Sequence, residues 1–209
     1  MSPLLDVEKI DVARAGDLIL KSVQFSLYPG QCLWVSGPNG IGKTSLLRVL
    51  AGISSPAAGR VVRKTPCAWL GHLNALKSHT SVLENLLFWL QLYGCSSPRR
   101  LGLKALESLD VAHLEKINSG ILSFGQSRRV ALAAVVASGR KLWILDEPFT
   151  GLDQKGVDRI RTILSNHCDE GGSCVFSSHH DPKLLDCERI SLTANAANGN
   201  VKEGGNADV

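Results

Sequence analysis

The 209-residue chain has no uninterrupted apolar run of about eighteen residues, the length a helix needs to cross a bilayer, so no membrane span is expected. Its opening residues, MSPLLDVEKIDVARAGD, lack the apolar stretch of an export signal because Asp6, Glu8 and Asp11 interrupt it. A cytoplasmic address is the expectation. Charge of one sign is not in large excess: 23 basic against 19 acidic side chains leave +4. The basic pairs Arg63-Lys64, Arg99-Arg100 and Arg128-Arg129 are scattered, with no aromatics interleaved, so they read as solvated helix faces and no nucleic-acid partner is predicted. The six cysteines, at 32, 67, 95, 168, 174 and 187, include no Cys-x-x-Cys and no haem-attachment motif. His167, Cys168 and Cys174 carry ligand atoms, yet their spacing matches no common zinc pattern, and free thiols in a reducing compartment account for them. Internal repeats are absent as well.

What is present is the material of one packed domain, 44% hydrophobic and 20% charged, with room for a modest inserted subdomain. Short apolar strands with tight turns open the chain: Leu18 to Leu20, Val23 to Leu27, a turn at Tyr28-Pro29-Gly30, then Cys32 to Val35. This spacing predicts an antiparallel segment. A helix follows over Thr44 to Leu50, stopped by Gly52 and Pro56. Apolar residues at helical spacing predict two more helices, Ser81 to Tyr93 and Leu101 to Leu114, inside a helix-rich stretch of about 73–135. The continuous apolar runs Leu142 to Leu145 and Cys174 to Ser177 are buried parallel strands. One domain over 1–194 results, with an α/β core from 1–72 and 136–194 around the helical insert. The Gly-rich polar segment 195–209 has no periodicity and reads as a disordered tail.

Between the strand Leu33-Trp34-Val35 and the helix at Thr44 lies GPNGIGKT, which fits G-x-x-x-x-G-K-[ST] at every fixed position. Gly37, Pro38, Asn39, Gly40, Ile41 and Gly42 would present backbone N–H groups to a phosphate at the positive end of that helix, and Ser45 continues its first turn. Lys43 would reach the β- and γ-phosphates of ATP, and the Thr44 hydroxyl offers Mg2+ a hard oxygen. The run LWILDEP adds an acidic pair after a buried strand. Asp146 would hold the metal through water, and Glu147 would take a proton from the attacking water.

With these motifs the stretch LSFGQSRRVALAA, Leu122 to Ala134, resembles the signature of the ABC ATPase family, and it precedes the acidic strand by about twenty residues. Phe124 stands where that family's signature normally has a glycine. The fold implied is that family's: a P-loop NTPase (RecA-like) core with an N-terminal antiparallel β segment and an inserted α-helical subdomain. By resemblance, Ser123, Gly125 and Gln126 would meet the γ-phosphate of ATP held by a second copy, in a head-to-tail dimer. Phe149 to Asp153 looks like the family's D-loop, and His179, after Ser177-Ser178, looks like its switch histidine, with adjacent His180 as the alternative. Two departures stand out. His72 occupies the place of a glutamine that senses Mg2+ and couples to the membrane subunit, and an imidazole would act there only through water. No aromatic residue lies in Asp11 to Asp17 to stack on adenine, which leaves Arg14 for that role.

Within the family, WLGH at 69–72, SVLENLLFW, LWILDEPFTGLD and GGSCVFSSHH are most similar to the ATP-binding subunits that handle haem in cytochrome c maturation. This resemblance implies integral membrane partners of the CcmB and CcmC type, a peripheral place on the cytoplasmic face of the inner membrane, and ATP hydrolysis that releases a haem-loaded chaperone. The alternative is the ATP-binding subunit of another small exporter. A soluble tandem-cassette protein and a phosphate-loop kinase are disfavoured, the first by the single short cassette and the second by LSFGQ. Phe88, Trp89 and Tyr93 would either line a groove for a membrane subunit or complete the helical core.

Overall fold

The computed structural model describes residues 2–179, 181–184, 187–193 and 202–203. Two sheets and five α-helices make up the described fold. The first sheet is antiparallel, in the order β2-β1-β4, from β1 (Leu5–Arg14), β2 (Asp17–Leu27) and β4 (Ala58–Arg63). The β1–β2 hairpin turns through Ala15 and Gly16, both at positive φ (51° and 93°), a pairing whose twist matches that of the flanking strands and which holds Arg14 at the rim.

The second sheet runs β5-β6-β7-β3-β8-β9, with β5 (Cys67–Leu70), β6 (Leu142–Leu145), β7 (Ser173–Ser177), β3 (Cys32–Ser36) and β8 (Cys187–Ser191) all parallel. Cys32 to Val35 therefore belongs to this sheet and not to the antiparallel segment in which the turn spacing placed it. Of the expected tail 195–209, only Lys202–Glu203 is described, as β9 antiparallel to β8; the remainder lies outside the described residues.

Strands β3, β6 and β7 are buried along their whole length and mostly apolar because both faces are covered, whereas β8 leaves Glu188 and Arg189 exposed. Leu33, Val35, Leu142, Ile144, Val175 and Ile190 face a core shared with the antiparallel sheet and α1 (Lys43–Leu50). Their sequence neighbours Cys32, Trp34, Trp143, Leu145, Cys174 and Phe176 face a second core under the helices. Three of those helices lie between β5 and β6 in the chain: α2 (Val82–Leu92), α3 (Pro98–Ser108) and α4 (Phe124–Ala137). Ser81 and Glu84 close a capping box on α2, and Ser123 and Gln126 close one on α4. The third predicted helix ends earlier than Leu114. Asp110 takes φ +58°, and Ala112–Leu114 continues as one 3-10 turn. Buried Asn85 ties the segment after His72 to α2, accepting from Lys77 N at 2.7 Å and donating to Thr80 Oγ1 at 2.8 Å and Ser119 Oγ at 3.0 Å. The last helix, α5 (Gln154–Asp169), starts at Asp153, whose carboxylate accepts from Gly156 N at 2.9 Å. No helix among the described residues is long and apolar enough to cross a membrane.

Candidate functional site

The carboxyl ends of β3, β6 and β7 deliver the motif residues to one edge of the parallel sheet, where ligands of such sheets bind. After β3 the chain turns at once. Gly37, Gly40 and Gly42 take φ of +148°, +79° and +114°, and a Cβ on Gly37 would lie 2.7 Å from the Leu192 carbonyl oxygen. Gly42 caps α1 with no side-chain hydrogen bond, so the first-turn N–H groups are left to the loop. Lys43 is buried, and its Nζ donates to the Gly37 and Pro38 carbonyls at 2.8 and 3.1 Å while lying 3.5 Å from His179 Nδ1.

Asp146, directly after β6, is 1% exposed and held on both oxygens. The Thr44 hydroxyl donates to Oδ2 at 2.8 Å and the Ser177 hydroxyl to Oδ1 at 2.7 Å. Ser177 Oγ also accepts from Glu147 N at 2.9 Å, which fixes the two consecutive acidic residues from β7. Glu147 adopts φ +54°, a left-handed conformation that costs a residue with a Cβ about 1 kcal/mol or more and is retained where the surroundings over-determine it. Its Oε1 is buried, receives no hydrogen bond, and faces His179 Nε2 at 3.3 Å. Thr150 Oγ1 donates to the other oxygen at 3.4 Å.

These groups wall a cavity of about 320 Å³ whose rim also carries Arg14, Asn39 and His72. Both residues inferred from departures in the motif pattern thus sit beside Lys43, Thr44, Glu147 and His179. His180 lies outside the described residues. Ser123, Gly125 and Gln126 do not line the cavity; they form the first turn of α4 on another part of the surface. Ser123 Oγ accepts from Gln126 N at 3.2 Å, and its own proton is not used in that bond. Gly125 is required by close approach, since a Cβ there would lie 2.5 Å from the Gly151 carbonyl oxygen. Phe124 lies against Gly151, so the residue that departs from the signature pattern covers the turn after Glu147.

The sequence reading of Arg128 as half of a solvated pair is corrected: Arg128 is 1% exposed. Its guanidinium donates to the Gly71 carbonyl at 2.8 Å, to Asn74 Oδ1 at 2.9 Å, to the Glu147 carbonyl at 2.8 Å and to the Asp146 carbonyl. Burial pushes its pKa down to about 10 against the opposing pull of the Asp146 and Glu147 carboxylates, so it stays charged at neutral pH. It links the segment bearing His72 to the backbone of the acidic pair. The other residue whose part was missed is Ser177, detectable in principle as a hydroxyl ending an otherwise apolar strand. Of the three aromatics near α2, Phe88 is exposed under Lys77 at 3.9 Å. Trp89 donates to the Ala75 carbonyl at 3.2 Å, and the Tyr93 hydroxyl accepts from Trp69 N at 3.3 Å, so those two serve packing.

Comparison with known proteins adds a second line. Residues 20–150 match the ABC transporter family model. The cytochrome c biogenesis ATP-binding export protein CcmA of Gluconobacter oxydans (strain 621H) is 40% identical over 176 residues, which cover 84% of this chain and 81% of that one. The protein of the same name from Brucella abortus (strain 2308) is 39% identical over 201 residues, 92% of each chain. Among solved structures, cbiO1 of Clostridium perfringens, part of the ABC transporter complex cbiONQ, superposes with a TM-score of 0.76 at 26% identity over 93% of this chain and 86% of that one.

Proposed function

Because this chain belongs to the ABC transporter family and is an ATP-hydrolysing subunit of it, we propose that it powers a CcmA-type haem-handling system of cytochrome c maturation. The observation that carries this reading is 39–40% identity to CcmA proteins over more than four fifths of both chains. On this reading 1–72 and 136–194 form the nucleotide-binding core and 73–135 the helical subdomain that a membrane partner of the CcmB or CcmC type engages. The chain would then sit at the cytoplasmic face of the inner membrane through those partners alone, and hydrolysis would release the haem-loaded chaperone.

The site supports the chemistry residue by residue. The glycine turns and the α1 N-terminus form an anion cradle, and Lys43 leaves its two carbonyl partners to meet the terminal phosphates of ATP. The donor set suits Mg2+: Thr44 and Asp146 offer hard oxygens that already meet at 2.8 Å. When bound, that ion would neutralise charge on the phosphate oxygens. Glu147 acts as general base through Oε1, which accepts no hydrogen bond, and His179 at 3.3 Å orients the water and the γ-phosphate. Arg14 stacks on adenine. Ser123, Gly125 and Gln126 complete the site of a second copy, since they do not line the cavity of their own chain.

Lys43→Ala is expected to weaken ATP affinity by about tenfold or more, the equivalent of one lost charge-assisted hydrogen bond. It should also fail to restore c-type cytochromes to a cell deleted for this gene. Unchanged affinity would remove the phosphate site, and normal cytochromes in the deletion strain would remove the haem role. His72, on the cavity rim, reaches the metal through water. His72→Ala is expected to lower turnover in the assembled membrane complex by roughly tenfold, and equal turnover would end that assignment.

A further inference from the structure

Four of the six cysteines converge at the end of the parallel sheet opposite the nucleotide site. The cause is register. Cys32 opens β3, and its Cα partners are Cys174 in β7 and Cys187 in β8, so three thiols stand side by side across adjacent parallel strands. The fourth, Cys168, comes from the last turn of α5, which covers that face. The Sγ atoms of Cys32, Cys168 and Cys174 all lie within 4.8 Å of one another. Cys32 Sγ is 3.2 Å from Cys174 Sγ and 3.2 Å from Cys187 Sγ. Both of these contacts are S–H···S hydrogen bonds onto Cys32 Sγ, so the thiols meet sulfur to sulfur.

We propose that Cys32, Cys168 and Cys174 form a three-thiolate site for a single thiophilic divalent ion of the zinc type, with Cys187 beside it against Cys32. Zinc bound tetrahedrally by sulfur at about 2.3 Å separates its ligands by about 3.8 Å, and the spacings among Cys32, Cys168 and Cys174, from 3.2 Å to within 4.8 Å, bracket that value. These cysteines are all free thiols. Each ligating thiol releases its proton to solvent on binding. His167 is not a ligand: it turns away and stacks on Trp143, with ring centroids 3.6 Å apart and an 8° tilt. The sequence spacing hid this site because its ligands are set by strand register and not by a local loop. Cys32 lies five residues before Gly37, roughly 16 Å along an extended strand, so the ion would staple β7, β3 and α5 without touching the phosphate cradle.

The test is metal content of the reduced full chain after loading with Zn2+ and desalting, read by mass spectrometry of the element. Substitution with Co2+ supplies a second readout, thiolate-to-cobalt charge-transfer absorption. About one zinc per chain is expected, with at least a tenfold loss in Cys32→Ser and in Cys168→Ser. The latter sits at a helix end, where folding tolerates it. Cys67→Ser and Cys95→Ser should keep the metal, and ATP affinity should hold in all four variants. Zinc content near zero in the reduced wild type would overturn the site, as would retention in both Cys32→Ser and Cys168→Ser. A Cys32–Cys174 disulfide in place of bound metal would overturn it too.

Discussion

Glu147→Gln is expected to cut steady-state phosphate release by about 10²- to 10⁴-fold, the usual worth of a positioned general base, while ATP binding persists. The amide is isosteric and retains the backbone N–H that Ser177 Oγ accepts, so the left-handed turn at φ +54° should survive. What is lost is a basic oxygen at the position now facing His179 Nε2 at 3.3 Å. With hydrolysis stalled, ATP should accumulate between two copies, each supplying Ser123 to the other. Light scattering in the presence of ATP and Mg2+ should therefore register a dimer. Turnover within a few-fold of the wild type would remove Glu147 from the base role.

Arg128→Ala should produce the largest loss of stability. Three backbone carbonyls, those of Gly71, Asp146 and Glu147, would lose a charged donor in a buried place, at about 1–3 kcal/mol each, and Asn74 would lose its partner as well. A total of roughly 3 kcal/mol or more corresponds to a fall in melting temperature of about 6–12 °C for a domain of this size. Differential scanning calorimetry of the variant is the check, and a shift below about 2 °C would mean that the four acceptors find other donors. Turnover should fall as well, because Glu147 is aimed by the backbone that Arg128 holds.

Local pattern carried much of this site. The phosphate loop is eight contiguous residues, and the acidic pair follows an apolar run that coincides with β6, Leu142–Leu145. Position in an ordered set of motifs picked out even His72 and Arg14, which line the same cavity as Lys43 and Glu147. What stayed illegible depends on contacts between distant segments. Arg128 reads as surface because nothing near it in sequence announces carbonyls that lie 18, 19 and 57 residues away. Strand β4, AGRVVR, carries too little apolar alternation to be recognised, since it is half exposed at the edge of its sheet. The thiols of Cys32 and Cys174 meet across 142 residues, a proximity created by sheet order and invisible to spacing rules.

The parallel sheet acts as a two-sided partition in which odd and even residues of a strand answer to different neighbours. Side-chain exchanges beneath the helices, at Trp143 or Phe176, leave the nucleotide half its own packing, so the two halves of the molecule can diverge at separate rates. A single inserted or deleted residue within β3, β6 or β7 has no such freedom. It would swap every later side chain of that strand between the two interiors and displace the loop at its end. Variation among relatives should therefore appear in these strands as replacement and almost never as a change of length.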